Sequence, residues 1–262
     1  MSSHGTDGSD EDLIVTPQNV NDPDLDDVTS VFTWQVDSGY FNSLLLPFET
    51  NSSVLAPDYS GNENDGTVTG ASWTDQGIIG GAYSFEGSSS SHQVITVPDS
   101  VSLGNDGSWD EITLEYWVKP SVNQRGTRII NKNGGDAGDS GKYMIGFNTN
   151  GAYNTVFFGV TIGGSYLETY ADSGDVNTII PSGVWSHIVG TYESGVGIKI
   201  YINGELRSFN PGVTGPIDSS VGEDLFIGYA SADAGTSNRY LKGLLDDCLL
   251  YTSDAADEED SV

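Results

Sequence analysis

Two acidic stretches of the chain contain residue types that bind hard metal ions. The first is Asp58-Tyr59-Ser60-Gly61-Asn62-Glu63-Asn64-Asp65-Gly66, and the second is Asp246-Asp247. Ca²⁺ takes about six to eight oxygen ligands, among them carboxylates and backbone carbonyls, and glycine lets a loop turn its carbonyls inward. The alternative is that the first stretch is only a turn rich in Asp and Asn, whose side chains bond to their own backbone.

A third acidic pattern, Glu111-Ile112-Thr113-Leu114-Glu115, raises the question of catalysis. Alternate residues of an extended chain share a face, so Glu111, Thr113 and Glu115 are predicted to point to the same side. Paired carboxylates hydrolyse glycosidic bonds. A further carboxylate between the two would tune their acidity, but Thr113 occupies that position. We therefore interpret the segment as a structural strand.

Other polar and aromatic residues are weaker site candidates. His187 lies in a predicted strand without a serine or cysteine nucleophile elbow, which favours a structural role. Several tyrosines flank polar loops, where rings could stack on sugars, although ordinary strand-end tyrosines are the simpler interpretation. These tyrosines are Tyr153, Tyr166, Tyr170, Tyr229 and Tyr240.

The elements that must position these residues are β-strands. Ile198, Ile200 and Ile202 fall at every other position, which predicts a strand with one buried face. Asn203-Gly204 follows and supplies the two positive-φ residues that a type I′ hairpin turn needs. Many short strands separated by turns, with no long helical period, favour an all-β sandwich or barrel.

Composition narrows the possible functions. The formal net charge of −29 disfavours binding to nucleic acid, whose phosphates it repels. No apolar run approaches the roughly 18 residues of a membrane span. Cys248 is the only cysteine, so an internal disulfide is impossible. The first twelve residues lack the pattern of a secretory leader, so we expect a piece of a longer protein.

A series of short motifs resembles, in order, those of laminin G-like, concanavalin A-like jelly-roll domains across residues 44–247. The motifs are Asp58-x-Ser60-Gly61-x-x-Asn64-Asp65-Gly66, Gly80-Gly81-Ala82-x-x-Phe85-x-Gly87, Thr113-x-Glu115-x-Trp117-Val118-Lys119-Pro120, Trp185-x-His187 and Gly243-x-Leu245-Asp246-Asp247. The resemblance implies an all-β concanavalin A-like jelly roll, a sandwich of two antiparallel sheets. It also predicts that Trp117, Trp185, Phe85, Ile200 and Leu225 are buried between the sheets.

The resemblance implies how the metal candidates combine. In such domains a calcium ion often joins an early loop to the Asp that opens the last strand. Carried over to this chain, that arrangement makes Asp58 and Asp246 ligands, with Asn64, Asp65 and Glu49 as further candidates. A structural Ca²⁺ is therefore the expected cofactor.

The function implied by the resemblance is binding. We expect a non-catalytic carbohydrate- or protein-binding module of a larger secreted or cell-surface protein, monomeric within that chain, with a polysaccharide or glycoprotein ligand. The alternatives are an accessory domain of a glycoside hydrolase or peptidase, and a structural spacer of an adhesin. Laminarinase-type glycosidases share the broad fold but carry Glu-x-Asp-x-Glu, and Thr113 in place of the Asp argues against an enzyme.

The ends of the chain differ in character from its centre. Residues 1–42 are predicted to be a disordered start followed by a linker, or the remnant of an immunoglobulin-like repeat, and residues 43–247 to be the jelly roll. Residues 248–258 resemble the in-frame translation of a transposase-based sequencing adapter, so residues 248–262 are predicted to be an artefactual tail. The alternative is a genuine final strand and acidic tail. In either case the strand is expected to continue to about Tyr251, with Cys248 and Leu250 on one face.

Overall fold

The computed structural model describes residues 30–31, 35–36, 39–40, 42–87, 92–104, 106–107, 109–132, 142–148, 155–171, 180–229 and 240–252. In this part of the chain the regular structure is β-strand, apart from one 3₁₀ turn at Val101–Leu103. It contains no helix that is long and apolar enough to cross a membrane.

The strands are numbered in chain order. They are β1 (Gln35–Val36), β2 (Gly39–Tyr40), β3 (Asn42–Leu46), β4 (Leu55–Ala56), β5 (Gly66–Thr69), β6 (Ser72–Thr74), β7 (Ala82–Glu86), β8 (Val94–Val97), β9 (Glu111–Pro120), β10 (Arg128–Lys132), β11 (Tyr143–Phe147), β12 (Val156–Ile162), β13 (Ser165–Ala171), β14 (Ser186–Glu193), β15 (Gly197–Ile202), β16 (Glu205–Pro211), β17 (Leu225–Ile227) and β18 (Lys242–Tyr251).

Two antiparallel sheets form the body of the molecule. The front sheet has the order β16-β15-β14-β9-β18-β7-β6, and β3 also pairs with β18. The back sheet has the order β13-β12-β11-β10-β17-β8-β5-β4. Their inner faces share one apolar core. This arrangement confirms the predicted sandwich, while β1 and β2 pair only with each other.

Strict alternation in β9 determines which residues enter the core. Its even-numbered residues from Ile112 to Val118 are buried, and the odd-numbered ones are half-exposed on the outer face. The prediction of burial was correct for Phe85, Ile200 and Leu225. For Trp117 it was wrong, because the same alternation places Trp117 on the outer face with Glu115. Trp185, just before β14, is also only half-buried.

The strand β18 contains a bulge at two adjacent acids. Its register shifts between Asp246 and Leu249, and Asp247 has a positive φ of 46°. Leu245 and Cys248 are both fully buried, so Asp246 and Asp247 occupy the outer side between two inward-facing residues. The strand continues to Tyr251 with Cys248 and Leu250 in the core, as expected. Residues from 253 onward lie outside the described part, and the adapter origin of this segment stays a prediction.

The predicted hairpin between β15 and β16 is confirmed. Asn203 and Gly204 have φ values of 52° and 78°, as a type I′ turn requires. The Asn203 side chain also accepts a hydrogen bond from the backbone N–H of His187 at 2.9 Å, and the Asn203 N–H donates to the His187 carbonyl at 2.9 Å. The turn therefore fixes the backbone of β14 at His187.

Candidate functional site

The Asp58 carboxylate organises its own loop. Oδ1 accepts hydrogen bonds from the backbone N–H groups of Leu45 and Ser60, each at 2.9 Å. Oδ2 accepts from the Ser60 hydroxyl at 2.6 Å and from the Asn64 N–H at 2.9 Å. Both oxygens therefore face hydrogen-bond donors, which neutralise part of the negative charge that a cation would need.

Asn64 and Asp65 complete this network. The buried Asn64 amide donates to the Ser43 carbonyl and to the Ser102 hydroxyl, each at 2.8 Å, and its oxygen accepts from the Ser100 hydroxyl at 2.7 Å. Asp65 Oδ1 accepts the Asp58 N–H at 2.8 Å. Three of the predicted metal ligands thus lie together in one loop, held to β3 and to the 3₁₀ turn by hydrogen bonds.

Glu49 and Asp246 lie instead beside the turn formed by residues 77–81. The fully buried Asp246 accepts the Ile78 N–H at 2.8 Å and the Asp247 N–H at 2.9 Å, and Glu49 accepts the Gly81 N–H at 3.2 Å. These bonds share no partner with those of the Asp58 loop. Among the described residues, no group of three or more His, Cys, Asp or Glu side chains is arranged to hold a metal ion.

Burial, together with neighbouring acids, raises the pKa values at the β18 bulge. Burial, followed by the charge of Asp247, raises the pKa of Asp246 to about 7. Burial, followed by the charges of Glu49 and Glu115, raises the pKa of Asp247 to about 6, against the opposing effect of His187. The bulge therefore brings several acidic groups together on the outer face of the front sheet, where burial and mutual repulsion disfavour their charged forms.

Next to the bulge, an aromatic and charged cluster spans β9 and β14. Trp117 and His187 are paired across the two strands, and their rings stack with centroids 4.9 Å apart and planes 25° apart. His187 Nε2 lies 3.4 Å from Glu115 Oε1, and the Tyr251 hydroxyl donates to Glu115 Oε2 at 3.1 Å. No local sequence pattern predicts this cluster, because it depends on a strand pairing between distant segments.

The cluster borders a depression of about 350 Å³ on the same outer face. Its walls combine aromatic rings, hydroxyls, acids and one lysine. The lining residues are Glu111, Ile112, Thr113, His187, Val189, Thr191, Tyr192, Glu193, Lys199, Tyr201, Gly204, Tyr251 and Thr252. The shared face predicted for Glu111, Thr113 and Glu115 is confirmed. Glu111 and Thr113 belong to the lining, and Glu115 lies beside it, next to His187.

The tyrosines suggested by the sequence as sugar-stacking residues lie elsewhere. Tyr166 and Tyr170 belong to β13, at the edge of the back sheet. Tyr229 and Tyr240 stack on each other with centroids 4.8 Å apart. Tyr153 lies outside the described residues. The ring-bearing residues that line the depression were not among these candidates; they are His187, Tyr192, Tyr201 and Tyr251.

The acids of β9 lack one group of the laminarinase-type pattern. Glu111 and Glu115 have the spacing of the two glutamates in that pattern, but Thr113 supplies no carboxylate between them. The arrangement is better suited to hydrogen bonding with a bound ligand.

Solved structures with the same fold include several binding domains. Domain 4 of AbnA, an extracellular arabinanase from Geobacillus stearothermophilus, in complex with arabinotriose, has a TM-score of 0.57 at 21% identity, over 81% of this chain and 92% of that one. The binding domain of Paraclostridial Mosquitocidal Protein 1 has a TM-score of 0.62 at 17% identity, and the match covers 83% of this chain and 50% of that one. A structure of botulinum neurotoxin type C, whose cell entry depends on two ganglioside molecules, has a TM-score of 0.59 at 16% identity. That match covers 82% of this chain and 49% of the toxin chain.

These likenesses establish the fold, and the chain spans about half the length of the two toxin chains. No curated protein matches the chain in sequence. The family model described as the concanavalin A-like lectin/glucanases superfamily matches residues 89–259, about two thirds of the chain. Together with the two packed antiparallel sheets, this match shows that the chain belongs to the concanavalin A-like lectin/glucanase superfamily.

Proposed function

We propose that the chain is a non-catalytic carbohydrate-binding module of a secreted or cell-surface protein, and that the depression on the front sheet is its binding site. The observation that carries this proposal is the combination of rings and hydrogen-bonding groups in one half-buried depression of about 350 Å³. Support comes from the arabinanase domain of the same fold, which was solved with the neutral oligosaccharide arabinotriose.

The lining of the depression can contact both the apolar face of a sugar ring and its hydroxyl groups. Tyr201 on β15 presents a half-exposed ring on which the apolar face of a pyranose or furanose can stack. Thr113 and Thr191, directly paired across β9 and β14, supply hydroxyls that both donate and accept hydrogen bonds. The rigid strands hold these groups in place, so little order has to be gained on binding.

The charge of the lining favours neutral glycans. Glu111 and Glu193 are paired directly across β9 and β14 and both line the depression, whereas Lys199 is the single lysine or arginine among the lining residues described. The chain as a whole has a formal net charge of −29. Sialylated, uronic or sulfated glycans would therefore meet repulsion, and neutral oligosaccharides are the expected ligands.

Replacing Tyr201 by Ala is expected to weaken glycan binding about tenfold, because it removes the stacking ring without opening the core. A glycan array on the full chain would identify the ligand, and isothermal titration would measure the affinities of both variants. Tyr170→Ala is the matched control, since Tyr170 is an exposed ring on the back sheet.

Loss of binding in Tyr170→Ala but not in Tyr201→Ala would place the sugar site on the back sheet and contradict the proposal. A chain that binds no glycan but retains a protein ligand would favour the protein-binding alternative. For that alternative there is also a structural parallel, a botulinum neurotoxin binding domain solved with rat synaptotagmin II, at 15% identity. Release of shortened oligosaccharides during the titration would contradict the non-catalytic role.

We also propose that any stabilising calcium ion binds beside Glu49, Asp246 and Asp247 rather than in the Asp58 loop, and that these three carboxyl groups, which are not arranged around a common point in the structure, move together to bind it. The oxygens of Asp58 already face N–H and O–H donors. At the bulge, by contrast, burial and then the charges of Glu49 and Glu115 raise the pKa of Asp247 to about 6, and a divalent ion would offset the repulsion among these acids.

If this proposal is correct, millimolar calcium should raise the melting temperature of the chain relative to chelator. At a calcium concentration of about 100 times Kd, binding raises the free energy of unfolding by about 2.7 kcal/mol. Asp246→Asn should abolish the shift, while Asp58→Asn should lower the melting temperature equally with and without calcium. Identical melting curves in calcium and in chelator would exclude a stabilising site.

A further inference from the structure

Lys132 is a fully buried lysine at the end of the back sheet. It is the last residue of β10 and pairs with Leu225 of β17, and its side chain has no exposed surface. Its Nζ lies 2.5 Å from Asp99 Oδ1 and 2.6 Å from the carbonyl oxygen of Glu223. A buried amine is thus held in direct contact with a carboxyl group from a distant part of the sequence.

The Asp99 side chain is fixed in this position by its surroundings. Asp99 Oδ2 accepts the Gly222 N–H at 2.7 Å, and the Asp99 N–H donates to Asp224 Oδ1 at 3.0 Å. The carboxyl group therefore presents one oxygen to the 219–224 segment and the other to Lys132. Such fixed proximity of two reacting groups replaces an encounter in solution and lowers the barrier to their reaction.

Burial also makes the Lys132 amine easier to deprotonate than an exposed lysine. Burial lowers the pKa of Lys132, against the hydrogen bond to Asp99 and the charges of Asp99, Asp224 and Glu223. Near this group lies a second carboxyl oxygen, Glu223 Oε2, which is buried and has no hydrogen-bond partner among the described residues. A carboxyl oxygen whose lone pairs are unused can accept a proton from a neighbouring group and pass it on.

We propose that Lys132 and Asp99 join through an intramolecular isopeptide bond, with Glu223 as the group that carries the proton. The neutral Nζ attacks Cγ of the protonated Asp99 carboxyl, and an N–C bond forms. Glu223 takes a proton from Nζ and returns it to the departing hydroxyl, which leaves as water. The products are one amide and one water molecule, and neither oxidant nor co-reactant is consumed. The bond ties the end of β10 to the segment after β8, across β17.

Intact-mass spectrometry of the purified full chain tests this inference. We expect a mass lower than the calculated one by the mass of one water molecule, and a digest that contains a branched peptide joining Lys132 to Asp99. Because an aspartyl–glycine step such as Asp106-Gly107 also loses water when it cyclises, the branched peptide, sequenced by fragmentation, is the deciding observation.

Two variants separate the roles of the residues. Lys132→Arg keeps the positive charge but cannot form the amide, so the full mass and two separate peptides are expected. Glu223→Gln keeps the volume but cannot exchange the proton, so most of the chain should remain unlinked after refolding. A wild-type chain that melts cooperatively but has the full mass and no branched peptide would overturn the inference, even if both variants failed to fold. If the branched peptide formed as fast in Glu223→Gln as in the wild type, Glu223 would not be the group that carries the proton.

Discussion

Replacing Gly190 by Val is expected to lower the melting temperature of the domain by 10 °C or more, on the order of 3 kcal/mol or above, if the variant folds. Gly190 lies in the middle of β14 and faces the back sheet. A Cβ atom there would lie 2.6 Å from Cγ of Phe158 and 2.9 Å from Cδ1 of Ile145. Both neighbours are fully buried and have no space to retreat into, so the two sheets would have to move apart.

Thermal unfolding monitored by circular dichroism would measure this effect. Thr191→Val is the matched control, because it adds a branched apolar residue to the neighbouring position, which faces outward and is half-exposed. That control should change the melting temperature by only a few degrees. Adding Phe158→Leu to the Gly190 variant makes room for the new side chain and should recover part of the loss, which a double-mutant cycle would quantify. Equal melting temperatures for wild type and Gly190→Val would show that the sheets do not meet at this point.

Replacing Asp247 by Asn is expected to stabilise the chain at pH 8 and to have little effect at pH 4. The substitution removes a negative charge that lies near Glu49 and Glu115. The positive φ of 46° is retained at little cost, since Asn adopts the left-handed region more readily than most residues. At pH 8 the free energy of unfolding should rise by on the order of 2 kcal/mol, which raises the melting temperature of a domain of this size by roughly 4–8 °C.

The sign of the pH dependence follows from the raised pKa. Folding raises the pKa of Asp247 from 3.8 to about 6, so the folded state binds its proton more tightly than the unfolded state does. Stability from this group is therefore fully present below pH 4 and is lost as the pH rises toward 6 and above. The Asn variant carries no such proton, so its advantage should emerge between pH 4 and pH 7.

Melting curves in chelator from pH 4 to pH 8 would test this expectation. Asp75→Asn is a suitable control, because it removes the same charge from an exposed position near the same turn. The control should be neutral within about 0.5 kcal/mol at every pH. A stabilisation of Asp247→Asn that is equal at pH 4 and pH 8 would contradict the proposed charge repulsion.

The sequence predicted those parts of the fold in which a local pattern determines the structure. Alternation in β15 and the positive-φ pair Asn203-Gly204 are contained in a few consecutive residues, and both predictions were confirmed. The strands β4, β5 and β6 were missed, since two to four residues such as Leu55–Ala56 are too short to show a period. The prediction for Trp117 was wrong. Its large aromatic side chain suggested the core, but the alternation along β9 places it on the outer face, the same face as Glu115.

The site was harder to predict than the fold. The contact of Trp117 with His187 depends on the register between β9 and β14, which about seventy residues separate in the sequence, and no local pattern encodes it. The acids of the Asp58 loop were recognised by composition alone, which does not distinguish oxygens that accept hydrogen bonds from oxygens open to a cation. Calcium binding at either place stays a prediction.

The position of β18 inside the front sheet has a consequence for biosynthesis. It is the last strand of the described chain, yet it lies between β9 on one side and β7 and β3 on the other. Until residues 242–251 have left the ribosome, the nascent sheet is divided into two halves that expose unpaired strand edges. The domain therefore completes its folding only after these residues are translated, and until then its unpaired strand edges leave it prone to aggregation.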